Sequence, residues 1–177
     1  MGKIIFVLGG ARSGKSSYAL SLAKKSKGRV VFIATCQPKD AEMKKRIKAH
    51  KLARPLSWET VEEYINIDQA IDKIKIKSGC LIIDCLTLWV SNLILGGYNQ
   101  DEIENKINKV LSSLKKIKAK AIIVSNEVGL GIVPQNKLGR DFRDVAGRIN
   151  QIAASQADET VFMVSGLPLP IKGRWRG

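Results

Sequence analysis

An α/β fold, a mostly parallel sheet with helices on both faces, is predicted by three observations. Short apolar runs alternate along the chain with stretches whose apolar residues recur at helical spacing, the pattern of alternating strands and helices. The strand-like runs are continuously apolar, as strands buried on both faces must be. A glycine-rich phosphate-loop signature stands between the first such run and the helix-like stretch after it.

The first run, Lys3 to Leu8, leads into Gly9 and then a helix over Lys15 to Lys25. A second run, Arg29 to Ala34, precedes a helix-like stretch from Asp40 to Ala53, stopped at Arg54-Pro55 because the residue before a proline is pushed out of the helical region. Helical spacing returns over Ile67 to Lys77. Cys80 to Asp84 reads as a strand, Leu86 to Leu95 as a helix ended by Gly96-Gly97, and Asp101 to Lys118 as a longer helix. Ala121 to Ser125 and Thr160 to Ser165 read as the last strands, with a helix over 141–156 between them. Gly173 reads as a turn. No linker, low-complexity segment or internal repeat interrupts this order, so residues 1–177 are expected to form one P-loop nucleotide-binding domain.

A chain of 177 residues removes roughly 70% of its extended surface from water on folding, enough for a core without staples. The 30 basic and 16 acidic residues give a formal charge of +14, which favours anionic partners without choosing among nucleotides, nucleic acid and anionic lipid. Most of the lysine lies in helix-like segments with few aromatics interleaved, so a solvated cationic surface is expected, with no nucleic-acid partner. The one charge-poor stretch near membrane-spanning length, Cys80 to Leu95, is interrupted by Asp84, Thr87, Ser91 and Asn92, which excludes a span there. Arg12 and Lys15 follow the first apolar run at once, with no small-x-small cleavage site, so no secretory signal is read and a cytoplasmic location is expected. Cys36, Cys80 and Cys85 form no C-x-x-C pair, and one histidine cannot complete a Cys/His zinc cage, so the cysteines read as packing residues.

Gly9-Gly10-Ala11-Arg12-Ser13-Gly14-Lys15-Ser16 satisfies G-x-x-x-x-G-K-[ST] with a strand before and a helix after. The glycines let backbone N–H groups turn inward, Lys15 reaches the outer phosphates, and the Ser16 hydroxyl can ligate Mg²⁺. Such a loop needs a carboxylate on the metal side, and Leu81-Ile82-Ile83-Asp84 supplies one where an apolar run stops; Asp84 can also cap the following helix. Asn126 and Glu127 fall at the end of another strand, where open α/β sheets bind ligands.

His50 is the only histidine. At i, i+4 spacing Arg46, His50 and Arg54 share one helix stripe, so two cations flank the imidazole and attract an anionic phosphate, a setting for a nucleophile. Met43 and Ile47 lie on an overlapping face, so spacing alone leaves a core-packed histidine equally open.

These residues sit inside a longer pattern. Gly9 to Ser16, Ile33-Ala34-Thr35, Asp40 to Pro55 with Trp58, Thr60 and Glu62, Asp84 to Trp89 with Asn92-Leu93, Val124 to Pro134, Leu138 to Gln151 and Val164 to Pro168 together resemble the bifunctional adenosylcobinamide kinase / adenosylcobinamide-phosphate guanylyltransferase family of cobalamin biosynthesis. The resemblance runs through almost the whole chain in order, apart from residues 173–177. It implies a RecA-like P-loop fold and two reactions. The first phosphorylates the aminopropanol hydroxyl of adenosylcobinamide with ATP or GTP; the second transfers GMP from GTP to that phosphate through a guanylyl-histidine, giving adenosylcobinamide-GDP and pyrophosphate.

Carried over residue by residue, the resemblance places His50 as the nucleophile. It assigns nucleotide contacts to Gly9, Gly10, Ala11, Arg12, Ser13, Gly14, Lys15, Ser16, Ala34, Thr35, Cys36, Lys51, Leu52, Ala53, Arg54, Glu62 and Asp84, with Mg²⁺ on Ser16 and Asp84. It also implies a homo-oligomer, a trimer among relatives. The residues suit this chemistry: Lys15 and the loop N–H groups stabilise the departing pyrophosphate, and Glu127 or Asp84 could take the acceptor hydroxyl's proton. Arg140, Arg143 and Asp144 read either as a surface ion-pair cluster or as a phosphate or subunit contact. A RecA-like nucleic-acid ATPase and a single-activity small-molecule kinase are the competing readings; neither gives the Arg46, His50, Arg54 stripe a role.

Overall fold

A computed structural model describes residues 2–38 and 40–173, with Arg46 described by its backbone alone. Six parallel strands and one antiparallel strand form a single sheet in the order β3-β2-β4-β5-β1-β6-β7. The parallel strands are β1 (Ile4–Gly9), β2 (Arg29–Ala34), β3 (Glu59–Glu62), β4 (Gly79–Asp84), β5 (Lys120–Asn126) and β6 (Glu159–Val164); β7 (Leu167–Lys172) runs back against β6. The helices are α1 (Lys15–Lys24), α2 (Ala41–Leu52), α3 (Ile67–Lys73), α4 (Leu86–Leu95), α5 (Gln100–Lys116) and α6 (Lys137–Gln156).

The continuous apolar runs become central strands whose alternate residues feed two cores. Ile4 and Phe6 of β1 pack with α3, α4, α5 and α6, while Ile5 and Val7 pack with Ala19 and Ala23 of α1. Helix starts carry the expected chemistry: Asp40 accepts from Met43 N–H, Asn99 and Glu102 form a capping box, and Asn136 accepts from Gly139 N–H.

Four features differ from the sequence reading by more than a residue or two. The third helix stops at Lys73 rather than Lys77, because Ile74 and Ile76 are buried while Lys75 and Lys77 are exposed, an alternation of period two. The last helix begins at Lys137, one turn before 141. The other two are added strands, β3 and β7, each lying on a sheet edge.

Parallel strands put all their starts at one edge of the sheet and all their ends at the other. The start edge gathers basic residues from the α1–β2 connection (Lys24, Lys25, Lys27, Arg29), the α3–β4 connection (Lys73, Lys75, Lys77) and the α5–β5 connection (Lys115, Lys116, Lys118, Lys120), with Lys3 and Lys172. Glu59, Asp72, Asp158 and Glu159 are the acidic residues beside them. The opposite edge holds the phosphate loop.

Candidate functional site

A cavity of about 690 Å³ opens at the strand-end edge, over the ends of β1, β2, β4 and β5. Its floor begins with the loop after β1. Gly14 adopts φ 91°, a left-handed conformation that suits glycine, and a Cβ there would come within 3.1 Å of Gly166 Cα. The turn joining β6 to β7 thus backs the loop, and Gly166 N–H donates to Ser13 O at 3.0 Å. Ser13 N–H donates to Gly10 O at 3.3 Å, and Lys15 Nζ to Gly10 O at 3.0 Å. The loop is therefore wound with its N–H groups beside the start of α1, a geometry that cradles phosphate.

Asp84 ends β4, two strands away from β1 with β5 between, roughly 10 Å across at ordinary strand spacing. Its carboxyl is hydrogen-bonded by Ser16. Burial raises its pKa, and His50, Ser16, Lys15 and Arg54 work against that rise. A carboxylate and a hydroxyl facing a phosphate loop are hard oxygen donors of the kind Mg²⁺ takes alongside phosphate and water. Among the described residues no cluster of three or more His, Cys, Asp or Glu forms a metal cage, so this pair fits a phosphate-borne ion rather than a protein-caged one.

The opposite wall comes from α2 and β3. His50, in the last turn of α2, lines the cavity with Met43 and Ile47. Arg54 lies with its guanidinium carbon 3.6 Å from the centre of the Phe32 ring and donates to Thr60 Oγ1 at 3.2 Å. Lys51 Nζ pairs with Glu62 Oε1 at 2.6 Å, and Tyr64 Oη donates to Glu62 Oε2 at 2.9 Å, which hold the Glu62 carboxyl below the usual carboxylate range. The motif residues Lys51, Arg54, Thr60 and Glu62 thus tie the end of α2 to β3. Asp84 lies within electrostatic reach of His50, an anion absent from the two-cation picture, and the side chain of Arg46 falls outside the described structure.

Hydrogen bonds fix the remaining edge. Thr35 Oγ1 donates to Cys85 O and accepts from Cys85 N–H, both at 2.8 Å, across the cis peptide that joins Asp84 to Cys85. Asn92 Nδ2 donates to Thr35 O at 2.8 Å and to Tyr64 O at 3.2 Å, and Trp89 Nε1 donates to Ile65 O at 2.9 Å, binding α4 to the segment after β3. Asn126 N–H donates to Thr87 Oγ1 at 2.6 Å, Ser125 Oγ to Asn150 Oδ1 at 2.7 Å, and Asn150 Nδ2 to Asn126 O at 3.1 Å. These bonds leave Asn126 and Glu127 at the cavity rim.

Of the residues expected at the site, Ala11 to Ser16, Ala34, Cys36, His50, Arg54, Glu62 and Asp84 line one cavity. Gly9 and Gly10 lie off the lining; a Cβ on Gly9 would run into Ser13 Oγ and Met163 O, whereas one on Gly10 would meet nothing within 4 Å. Thr35 is buried and turned to Cys85, so its side chain does not reach the cavity. Leu52 is 78% exposed and, with Lys51 and Ala53, lies off the lining. Phe32, Leu88 and Val128 form an apolar part of the wall that the sequence reading assigned to no site. Burial pushes the Cys85 thiol up to about 12 and the Cys80 thiol up to about 11, so both stay protonated packing groups. Arg140 donates to the carbonyls of Pro134 and Gln135, which makes it a brace for the loop before α6 rather than a member of an ion-pair cluster.

A family model described as cobinamide kinase / cobinamide phosphate guanyltransferase matches residues 5–171. The bifunctional adenosylcobalamin biosynthesis protein CobP of Pseudomonas aeruginosa is 41% identical over 167 residues, covering 94% of this chain and 96% of its own. The CobU protein of the same description from Salmonella typhimurium is 41% identical over 181 residues, covering 96% and 99%. Among solved structures, a type III secretion system ATPase of pathogenic bacteria superimposes with a TM-score of 0.61 at 11% identity, over 92% of this chain and 52% of its own. A Pyrococcus horikoshii OT3 protein reaches 0.61 at 12% identity, over 98% and 88%. At such identities the likeness is one of fold, the RecA-like P-loop sheet with one strand between the loop strand and the Asp84 strand.

Proposed function

Because the chain belongs to the cobinamide kinase / cobinamide phosphate guanyltransferase family, we propose that it is a bifunctional enzyme whose single strand-end cavity serves both reactions. It phosphorylates adenosylcobinamide with a nucleoside triphosphate, and transfers GMP from GTP to the resulting phosphate through a guanylyl-histidine on His50. The observation that carries this reading is the meeting of His50 with Lys15, Ser16 and Asp84 around one cavity.

In guanylylation an imidazole nitrogen of His50 attacks the α-phosphorus of GTP; the bond to the β-phosphate oxygen breaks and pyrophosphate leaves. The loop N–H groups and Lys15 take up the charge that develops on it. A phosphate oxygen of adenosylcobinamide phosphate then attacks the same phosphorus, the P–N bond breaks, and His50 is restored. In the kinase reaction the loop holds the triphosphate while the acceptor hydroxyl attacks the γ-phosphorus and gives its proton to a carboxylate. Glu127 at the rim suits that role better than Asp84, which is hydrogen-bonded by Ser16 and lies within electrostatic reach of His50, Lys15 and Arg54. Mg²⁺ would be held by Ser16 and Asp84 and would neutralise phosphate charge when bound.

A homo-oligomer, with the trimer its likeness to relatives implies, is part of this proposal. It is supported by a run of exposed apolar residues between β5 and α6, in which Leu130 is 81% and Ile132 95% exposed, and by exposed Leu167, Leu169 and Ile171 on β7. Light scattering on the purified chain tests it.

Incubation with α-labelled GTP and Mg²⁺, without corrinoid, tests the covalent step. We expect a labelled protein that is acid-labile and alkali-stable, as a P–N bond requires, and His50→Asn abolishes it while γ-phosphoryl transfer to adenosylcobinamide persists. Label mapped to a lysine such as Lys51, or loss of both activities together with lowered stability, refutes the assignment.

A further inference from the structure

We propose that the strand-start edge of the sheet is a docking face for an anionic lipid bilayer, centred on a cleft between two lysine-bearing connections. The cleft, also about 690 Å³, lies between Lys75-Ile76-Lys77 and Lys116-Ile117-Lys118. Both connections follow one rule: isoleucines turn in, Ile76 buried and Ile117 half-buried, while the flanking lysines are exposed. They lead into β4 and β5, which are neighbours, so the four ammonium groups share one end of the molecule. None of the four makes an ion pair among the described residues, whereas Lys3 and Arg29 nearby are paired with Glu159 and Glu59.

Lysines near helix C-termini are expected to some degree, because each helix end presents about half a negative charge. Four helices, α1, α3, α5 and α6, end at this edge, roughly two charges in all. Against that stand thirteen basic residues and four acidic ones, a surplus far beyond what the helix ends require. More than half of the chain's lysines therefore lie at the end remote from the nucleotide cavity, where the two reactions give them nothing to do.

The chemistry of the face selects a bilayer. Twelve of its thirteen cations are lysines, mobile point charges without the planar fork that grips a single phosphate, and they extend past the cleft onto the end of α1. A small phosphorylated ligand would be held by fewer, fixed donors. The connections carrying these lysines hold no aromatic residue on which a base could stack, which disfavours single-stranded nucleic acid. Among the described residues no helix is long and apolar enough to cross a membrane, so the contact is peripheral and electrostatic. Six-residue strands separate this face from the cavity by roughly 20 Å, so a docked molecule keeps its cavity open to water.

Co-sedimentation of the full chain with vesicles of phosphatidylglycerol in phosphatidylcholine, against pure phosphatidylcholine, tests the proposal. We expect binding to the anionic vesicles alone, weakening as salt rises. Each lysine at such a surface contributes about fivefold, so the quadruple variant K75E/K77E/K116E/K118E should partition on the order of 10³-fold less, with an unchanged melting curve. A variant of equal charge change remote from this edge, K44E/K45E/K48E/K137E, should still bind. Equal binding to neutral vesicles, equal losses in the two variants, or tighter binding to a DNA oligonucleotide than to the vesicles overturns the proposal.

Discussion

The two walls of the nucleotide cavity are built in opposite ways. The phosphate loop hangs from β1 in the sheet interior, its glycines are held by backbone hydrogen bonds to neighbouring strands and turns, and α1 behind it buries Ala19 and Ala23. The wall carrying His50 is a helix with no buried residue among those described, and it leans on the four-residue edge strand β3 through Lys51–Glu62, Arg54–Thr60 and the stacking of Arg54 on Phe32. A cradle fixed by backbone suits a task common to both reactions, holding a triphosphate. The nucleophile proposed on this peripheral helix, His50, would be positioned by side chains, and its loss would leave the cradle intact.

That contrast predicts different consequences for substitutions in each wall. Lys15→Ala should lower both GMP transfer and γ-phosphoryl transfer on the order of 10²-fold or more, since each builds charge on a chain held by the same loop. If the variant lost only the kinase step in steady-state assays, the two reactions would use separate nucleotide sites and the comparison would break. Arg54→Ala should cut adduct formation by about tenfold and leave the kinase nearly unchanged, because it removes a stacked cation and one hydrogen bond beside His50. Parallel rates of protein labelling and corrinoid phosphorylation measure the split, and equal losses would mean that the α2 wall serves both steps.

Glu62→Gln gives the smallest effect and a pH signature. The folded carboxyl is held below its ordinary value of 4.5 by bonds from Lys51 and Tyr64. A lowered folded pKa contributes stability above the unfolded pKa and loses it as pH falls through the folded one. The pair is largely exposed, so wild type should melt about 2 °C above Glu62→Gln at most near neutral pH, and the gap should close in acid. A gap that widens in acid contradicts the assigned bonds.

The phosphate loop was legible because its chemistry is local: eight consecutive residues fix the turn, the donors and the helix start. Asp84 was legible because a strand end is marked by where an apolar run stops. The two edge strands were not. Glu59–Glu62 offers one half-buried apolar residue, Val61, and β7 alternates leucine with proline, which argues against a strand everywhere except at an edge. Lys73 to Lys77 misled in the other direction, since Ile71, Ile74 and Ile76 satisfy a helical count until burial shows that the last two alternate with lysines. At the site, Phe32 and Leu88 were hidden among core residues, because nothing in a β-strand or helix pattern tells which apolar side chain at an element's end faces a cavity. Thr35 was placed at the site by resemblance alone, and no residue pattern shows that it spends its hydroxyl on the backbone of Cys85.

The prolines of β7 bear on what the sheet can do to other molecules. Pro168 and Pro170 occupy alternate positions, so one side of the strand lacks two of its N–H donors, and since the ladder to β6 is formed, that side faces outward. At the far edge β3 is only four residues long and carries Glu59 and Glu62. A stray extended peptide therefore finds a poor template along either margin, and the five strands between them, rich in valine and isoleucine, are kept from seeding fibres. Contact between copies of this chain is then left chiefly to side chains, which can be selected for a particular geometry, and not to the backbone, which would accept any strand.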